Sequence, residues 1–350
     1  MSSSTVLILS IIAAIIPTLI YILIIYWVDR YEKEPVWLLT SAFLWGAIPS
    51  IVVAFIVNST LSIPVYLLAG DGAGDALAAS LIAPPVEETV KGIAVLGIFF
   101  FWRHEIDSVL DGIIYGAMVG MGFAMVENVY YFVNQFMDGG IEAWSINIFM
   151  RAVVFGLNHA LFTSMTGLGI AVARMTTNKT LKYTAPVLGW MTAVFLHFVH
   201  NASVSIGDLL CLVALASDWG GVLLIFGIMV WAVVQERKWI REYLAEEVTA
   251  GTITAVQYKT ACSGRKRVGY IWKQLTTNGF SAYRQSTRFF QRCSELAYKK
   301  RHYSLFQNEK NLELAAALRD EITELRSSWS EPKSEPTKSE AKIDADQHES

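Results

Sequence analysis

The chain has 350 residues, a formal net charge of −3 and a mean hydropathy of +0.40. That net charge gives no reason to expect nucleic-acid binding. Its three cysteines, Cys211, Cys262 and Cys293, are too few and too far apart in sequence for a disulfide framework or a thiolate metal site.

Hydropathy divides the chain into two unlike parts. Apolar runs dominate residues 1–236, whereas charged and polar residues dominate from Arg237 onward. The composition predicts a membrane-embedded domain over 1–236, a small cytoplasmic helical region over 237–326 and a disordered tail over 327–350. The first apolar run has no basic stretch before it and no small-residue cleavage site after it, so we expect a retained span rather than a cleaved signal.

Seven apolar stretches are long enough to cross the ~30 Å hydrocarbon core of a bilayer. The predicted spans are 5–28, 36–58, 77–102, 109–133, 147–173, 184–206 and 219–236. Lys and Arg occur in the connections after the first, third and fifth spans and after the seventh, but are absent from 59–76, 134–146 and 207–218. This alternation predicts an N-terminus outside and a C-terminus inside the cell. The expected fold is therefore an all-α, polytopic helical bundle in the cell membrane.

Two features fit this topology less well. Arg151 lies near the outer end of the fifth span, where the alternation predicts no basic residue. The short apolar stretch 207–217 precedes the seventh span, and we expect it to be a re-entrant piece or an extension of span six.

Span three contains the most unusual stretch of the sequence, Pro84–Lys91. Glu87, Glu88 and Lys91 lie inside an apolar segment, where each ionisable group costs roughly 2.5–3.5 kcal/mol on insertion scales. On a helix Lys91 is four and three residues beyond the two carboxylates and faces back toward them. Such a cost requires a functional or structural reason.

Span four combines a small-residue face with a carboxylate. Gly112, Gly116 and Gly120 recur every four residues, which predicts close packing against another helix. Glu127 and Asn128 follow about two turns after Gly120.

Spans five and six each carry a histidine and a polar partner one turn later. His159 is followed by Thr163, and His197 is followed by Asn201. With His159 about twelve residues into span five, its depth is roughly 18 Å at helical rise. In the predicted topology all four spans bring their ionisable groups to the middle or outer part of the bilayer, and independent structural residues would have no reason to agree in depth.

Three classes of protein accommodate such a cluster. Two His and two or three Glu at one depth indicate a metal-based or glutamate-based hydrolytic site. The same groups would also serve as a proton relay in a proton-coupled transporter. The third class is a membrane scaffold whose cytoplasmic region binds a partner that the sequence does not identify, but it does not explain the shared depth.

The successive motifs resemble those of the PrsW family of intramembrane proteases. The motifs are Glu87-Glu88-x-x-Lys91, Phe123-x-x-x-Glu127-Asn128, His159-x-x-x-Thr163 and His197-x-x-x-Asn201. Glu32-Lys33-Glu34-Pro35, Asp111-Gly112-x-x-Tyr115-Gly116 and Gly122-Phe123-Ala124 are also similar to that family. The resemblance covers all seven predicted spans in order. The wider group includes the CAAX prenyl endopeptidases and bacteriocin-processing proteins, in which a histidine follows the Phe-x-x-x spacing; Glu127 at that position favours the PrsW branch.

The resemblance implies an intramembrane endopeptidase that cleaves a single-span or otherwise membrane-anchored protein. Family members include proteases that make the first cut in an anti-sigma factor. We expect Glu87 or Glu88 to act as general base and then general acid, with Lys91 favouring the ionised form of one of them.

Two versions of the chemistry stay open on sequence alone. In the metal-dependent version Glu127, His159 and His197 hold a zinc ion and leave a fourth position for water, while Asn201 binds the substrate or the oxyanion. In the metal-free version a Glu activates the water, and His159, His197 and Asn201 stabilise the tetrahedral oxygen. The sequence has no His-Glu-x-x-His motif, which excludes the usual zincin helix.

Overall fold

Twelve α-helices make up most of residues 2–327, the part of the chain described in this computed structural model. They are α1 (Ser3–Val28), α2 (Val36–Trp45), α3 (Ile51–Ala69), α4 (Asp71–Leu77), α5 (Ala83–Phe101), α6 (Val109–Ile148), α7 (Asn158–Met175), α8 (Lys179–Ile206), α9 (Cys211–Thr249), α10 (Ala255–Ala261), α11 (Gly264–Phe306) and α12 (Glu309–Ser327). No strand occurs among these residues. The prediction of an all-α polytopic protein is confirmed.

Five helical segments are long and apolar enough to cross a membrane. They are Ser3–Val28, Val36–Ala69, Val109–Met175, Lys179–Ile206 and Asp208–Thr249. The third has 67 residues and contains both α6 and α7. Helix α5 has 19 residues but carries three charged side chains, so composition does not identify it as a span. The count of seven spans and their orientation stay predictions.

Helix α6 is buried along its first half and organises the fold around it. It begins with a capping box, in which the Ser108 and Asp111 side chains and backbone groups bond reciprocally. The predicted glycine face is confirmed as a packing face. A Cβ atom would lie 2.3 Å from the Gly167 oxygen if placed on Gly112, and 2.2 Å from the His159 oxygen if placed on Gly120. Only glycine lets α6 approach α7 this closely, and the approach brings Glu127 near His159.

The predicted span 147–173 is not one continuous helix. A π-helical turn, Phe149–Val154, ends at Phe155, and α7 begins only at Asn158. The Asn158 side chain accepts a hydrogen bond from the backbone N–H of His159 at 2.7 Å, which satisfies a donor at the start of the helix. His159 therefore lies in the first turn of α7 and not in the middle of a helix. The apolar run on both sides concealed this break in the sequence.

The expectation for residues 207–217 is also wrong. Gly207 adopts φ 81°, a conformation that glycine tolerates, and ends α8. A short 3₁₀ turn, Asp208–Leu210, leads directly into the 39-residue helix α9. The stretch therefore leads into the last helix of the membrane unit. It is neither an extension of α8 nor a re-entrant piece.

The chain forms two compact units. The first comprises Met1–Trp239 with Ser304–Gln307, and the second comprises Ile240–Tyr303 with the described residues from Asn308 onward. The breaks expected near three glycines are confirmed, since Gly251 and Gly279 adopt φ 78° and 84° and α11 starts at Gly264. Of the tail predicted to be disordered, residues 328–350 lie outside the described part of the chain.

Candidate active site

Four helices contribute the predicted site residues of the first unit. Helix α5 supplies Glu87, Glu88 and Lys91, α6 supplies Glu127, α7 supplies His159, and α8 supplies His197. Pro84 and Pro85 occupy the first positions of α5, where the missing N–H groups and fixed φ are tolerated. The two carboxylates and Lys91 therefore follow within the first turns of that helix.

Glu88 lies at the centre of the cluster and is fully buried. Its Oε1 accepts from Lys91 Nζ at 2.6 Å and from His197 Nδ1 at 3.0 Å, while its Oε2 accepts from Thr163 Oγ1 at 3.0 Å. Both oxygens are thus engaged by groups from three helices. Glu88 holds α5, α7 and α8 together around the site.

Glu87 is bonded at one oxygen only. Its Oε1 accepts from Asn58 Nδ2 at 3.3 Å. Its Oε2 is buried and accepts no hydrogen bond within the described part of the chain, although Lys91 Nζ is 3.6 Å away and His197 Nε2 is 3.9 Å away. A buried carboxylate oxygen without a hydrogen bond is costly unless it has a proton, a water or a ligand to bind.

Lys91 is fully buried among these groups. Its ammonium donates to His159 Nδ1 at 3.1 Å and lies 4.0 Å from the centroid of the Phe123 ring. Because Lys91 occupies the Nδ1 lone pair, the His159 proton is on Nε2, which donates to Glu127 Oε2 at 3.0 Å. Lys91 therefore sets the orientation and tautomer of the histidine as well as the charge beside the carboxylates.

Glu127 also forms an ion pair that the sequence reading did not foresee. Arg151 Nη2 donates to Glu127 Oε2, Arg151 Nε donates to Asn128 Oδ1 at 2.9 Å, and the guanidinium stacks 3.9 Å from the centroid of the Tyr131 ring. The sequence did carry a signal, because Arg151 is the basic residue that disagrees with the predicted topology.

The cluster carries an excess of negative charge. Three carboxylates, Glu87, Glu88 and Glu127, face two cations, Lys91 and Arg151. One negative charge is therefore left over in a buried environment, and either a bound proton or a bound cation would balance it.

Three of these side chains have the geometry to hold a metal ion. Glu87, His159 and His197 each offer one ligand atom, and these atoms lie within 4.8 Å of one another. Phe162 stacks on the His197 ring, with centroids 4.9 Å apart, and limits its movement. Glu127, which the sequence analysis assigned as a ligand, contacts His159 but is not in this group of three, so its role as a ligand stays a prediction.

Asn201 lies one turn beyond His197 and bonds away from the carboxylates. Its Nδ2 donates to the backbone oxygen of Ala79 at 2.8 Å, which ties α8 to the π-helical turn Ala78–Ile82 before α5. Among the described residues, its amide oxygen makes no hydrogen bond with the Glu and His side chains of the cluster. The predicted contact of Asn201 with the substrate stays a prediction.

A second buried pair supports His159 from behind, and the sequence analysis missed its acid. His200 Nδ1 donates to Asp218 Oδ2 at 2.7 Å, which leaves His200 Nε2 to accept from Asn158 Nδ2 at 3.4 Å. Asn158 in turn accepts the backbone N–H of His159. Asp218 thus fixes the His200 tautomer, and His200 orients the Asn158 amide that accepts the backbone N–H of His159. The sequence feature that could have identified Asp218 is its position directly before the predicted span 219–236.

Comparison with known proteins assigns the membrane unit to a family. Residues 34–234 match the family described as PrsW family intramembrane metalloprotease. This range contains every residue of the cluster. The resemblance found from the motifs is confirmed.

Curated relatives agree with the family match. The chain is 30% identical to Protease PrsW of Geobacillus kaustophilus (strain HTA426), over 63% of this chain and 86% of the relative. It is 29% identical to Protease PrsW of Clostridioides difficile (strain 630), over 54% of this chain and 76% of the relative. It is also 29% identical to Protease PrsW of Bacillus subtilis (strain 168), over 48% of this chain and 70% of the relative.

No solved structure matches the chain. The family match nevertheless covers more than half of it, and the curated relatives all carry the same name. Because the helical membrane fold agrees with these matches, this chain is a multi-pass membrane hydrolase, an intramembrane peptidase that belongs to the PrsW family.

Proposed function

We propose that this protein is an endopeptidase that cleaves a single-span or otherwise membrane-anchored protein in the outer half of the bilayer, with Glu87 activating the water. The observation that carries the proposal is the difference between the two adjacent carboxylates. Both oxygens of Glu88 are engaged, whereas Glu87 Oε2 is buried and accepts no hydrogen bond within the described residues. A general base needs such a free oxygen to take a proton.

The surrounding side chains support this assignment. His197 donates its Nδ1 proton to Glu88, so its Nε2 lone pair is on the side of Glu87 Oε2. A water bound by Glu87 loses one proton to Oε2, and its oxygen attacks the carbonyl carbon of the substrate. Glu87 then delivers that proton to the amide nitrogen as the C–N bond breaks.

Three groups are suited to stabilising the negative charge that develops on the carbonyl oxygen. Lys91 carries a buried positive charge within 3.6 Å of Glu87, and His159 lies against Lys91. Asn201 is the third group and requires a rotation of its side chain from Ala79. Charges and dipoles fixed in a buried site act more strongly than the same groups in water.

The residues present fit a metal ion. Glu87 Oε2 lacks a hydrogen bond among the described residues, the cluster has one uncompensated negative charge, and the donor set of one carboxylate and two imidazoles is one that zinc accepts. Glu87, His159 and His197 would hold the ion, with Glu127 as the alternative carboxylate. His159 would become a ligand on releasing its bond with Lys91, since its Nε2 carries the proton shared with Glu127. A bound zinc ion supplies Lewis acidity and lowers the pKa of a water that it binds.

The physiological substrate belongs to the class of membrane-anchored proteins. Regulated cleavage of an anti-sigma factor is one role consistent with the family, and the region from 237 to 326 offers a surface for an unidentified partner on the cytoplasmic side.

The test uses purified full-length protein reconstituted with single-span reporter proteins. Glu127→Gln and His197→Ala are each expected to reduce cleavage by about 10²-fold or more, because each removes a group from the buried cluster. Circular dichroism and thermal unfolding verify that the variants stay folded. Full cleavage by both variants would refute the assignment.

Metal analysis of the same preparations separates the two versions of the mechanism. One zinc ion per chain that is lost in His159→Ala supports the metal-dependent version. Active protein that contains no metal and is insensitive to chelators supports catalysis by Glu87 alone.

A further inference from the structure

A cavity of about 540 Å³, half of whose lining residues are polar, lies beside the Glu/His cluster. Its walls come from α6, from the π-helical turn Phe149–Val154, from the start of α7 and from the end of α8. The polar lining residues are Asn128, Tyr131, Gln135, Asn147, Arg151, Asn158 and His200. Its volume is in the range of ligand-binding pockets. We call it the polar cavity.

Two lining residues connect the polar cavity to the Glu/His cluster. Arg151 donates to Glu127 and also lines the cavity. Asn158 lines the cavity and accepts the backbone N–H of His159. A peptide bound in the cavity would therefore lie next to the groups proposed to act on the scissile bond.

The cavity wall contains hydrogen-bonding groups of both kinds that lack partners. The Oδ1 atom of Asn147 is buried and accepts no hydrogen bond within the described residues. Arg151 has five N–H donors and uses Nε and Nη2, while Nη1 donates to no acceptor in the part of the chain that the structure describes. An acceptor beside free donors complements a peptide backbone, which offers N–H and C=O groups together.

The hydrogen-bond donors of the lining favour an anionic ligand, although Glu127 already balances the charge of Arg151. Arg151 is the one permanently charged residue among those that line the cavity, and none of them is acidic. A guanidinium with free donors binds a carboxylate in preference to an ammonium or an alkyl group.

We propose that the polar cavity binds the polar segment of the substrate next to the cleaved bond, and that Arg151 makes the enzyme prefer an acidic side chain in that segment. The inference rests on the proposed proteolytic function and adds a substrate class to it. The occupant is thus an extended, polar, acid-containing peptide at the end of a membrane anchor.

Cys211 provides a built-in reporter for occupancy of the cavity. It lines the cavity and is partly exposed, whereas Cys262 and Cys293 are buried. In lipid nanodiscs, a membrane-impermeant maleimide is expected to label Cys211 and to reduce cleavage by about tenfold, because its bulk occupies the space of the peptide. A peptide of Ser and Gly with one Glu should slow the labelling. In Cys211→Ser the reagent should leave cleavage at the level of the untreated variant.

A second experiment measures the charge preference directly. Three single-span reporters carry Glu, Gln or Lys beside the non-cytoplasmic end of the span. Wild-type kcat/KM should favour Glu over Lys by about tenfold, the ratio expected for one charge-assisted hydrogen bond.

Asn147→Asp and Asn147→Leu form a matched pair for that measurement. The aspartate adds a carboxylate to the cavity and should abolish or reverse the preference. The leucine should lower cleavage of all three reporters and retain the preference for Glu. Loss of folding cannot reverse a preference, so a reversal identifies the cavity as the binding site.

The inference is overturned if labelling of Cys211 does not slow cleavage and the peptide does not slow the labelling. Both results are expected if only water enters the cavity. Equal cleavage of the Glu and Lys reporters by wild type overturns the role of Arg151. If no reporter is cleaved but the acidic peptide still protects Cys211, the proposed function fails and the binding site stands.

Discussion

Glu87 and Glu247 are both buried glutamates beside lysine, but their oxygens are satisfied in different ways. In the second unit Glu247 Oε1 accepts from Lys300 Nζ and Arg319 Nη2, each at 2.8 Å, and its Oε2 accepts from Thr252 Oγ1 at 2.8 Å. In the first unit Glu87 has one oxygen bonded to Asn58 and the other without a hydrogen bond among the described residues.

Under the proposed mechanism, the difference separates a structural carboxylate from a reactive one. A carboxylate with every lone pair engaged holds its partners in place and has no capacity for a further proton or ligand. A carboxylate that the fold leaves half-bonded in a buried site keeps that capacity, and the protein accepts the cost in stability. The same contrast exists inside the cluster, between Glu88 and Glu87.

The largest effect is expected from replacing the half-bonded carboxylate. Glu87→Gln should reduce cleavage by about 10³-fold, since the amide cannot take a proton from water. Its thermal unfolding temperature should stay close to that of wild type, because the substitution affects only the bond with Asn58 and the 3.6 Å ion pair with Lys91, while Lys91 keeps its bonds to Glu88 and His159. Glu88→Gln should lower both cleavage and the unfolding temperature, because it breaks the bonds to Lys91 and His197.

These two variants form a matched pair of adjacent residues. Cleavage assays and thermal unfolding in the same detergent supply both numbers. A Glu87→Gln protein that cleaves normally would transfer the role of general base to Glu88.

A smaller effect, on stability alone, is expected in the second unit. Glu247→Gln should destabilise the contact among α9, α11 and α12 by about 3 kcal/mol, because Lys300 and Arg319 lose a buried partner. Hydrogen exchange of α12 measures this change in full-length protein. The control is Glu246→Gln, whose side chain is 66% exposed and whose pairs are worth less than ~1 kcal/mol. Equal protection in both variants would contradict the structural role of Glu247.

The same carboxylate predicts a dependence on pH. Burial alone raises the pKa of Glu247, but hydrogen bonds from Arg319, Lys300 and Thr252 outweigh burial and lower the pKa to about 2. A lowered pKa stabilises the folded state above the unfolded pKa of ~4.3, and this stabilisation is lost as the pH falls toward 2. In Glu247→Gln the acid sensitivity of α12 exchange should be reduced over that window.

The smallest effect is expected from replacing Asp218, which acts on His159 through His200 and Asn158. Asp218→Leu should lower kcat by about tenfold with little change in KM, because the outer partners of catalytic groups set orientation rather than binding. His200→Gln is the conservative comparison, since its carbonyl can still accept from Asn158. Unchanged kcat in Asp218→Leu would show that the Asp218–His200–Asn158 chain only packs the helices.

The site was predictable from sequence where the energetic cost of placing charged groups in an apolar span could be recognised. Glu87, Glu88 and Lys91 stand out because charges in an apolar span are expensive, and the motif order around His159 and His197 matched a family. Arg151 and Asp218 lie near the ends of spans, where charges are common, and so attracted no functional interpretation.

Two further features required the folded chain. The break at residues 155–157 contains Gly156, where a Cβ would lie 2.5 Å from the Ala152 oxygen and 2.7 Å from the Tyr21 ring, the latter a contact between distant parts of the chain. The bond between Glu88 and His197 joins residues 109 positions apart. Sequence spacing within one helix cannot determine how that helix is rotated against another.

The sequence by itself determined the helical membrane character, the family, the candidate residues Glu87, Glu88, Lys91, His159 and His197, and the glycine face along α6. These follow from composition, from spacing within one segment or from the order of motifs along the chain. Only the tertiary structure decided which oxygen of which glutamate is left free, which partners engage Glu127 and His159, and where the polar cavity lies. These depend on distances between helices, and such distances are set by packing across the whole unit.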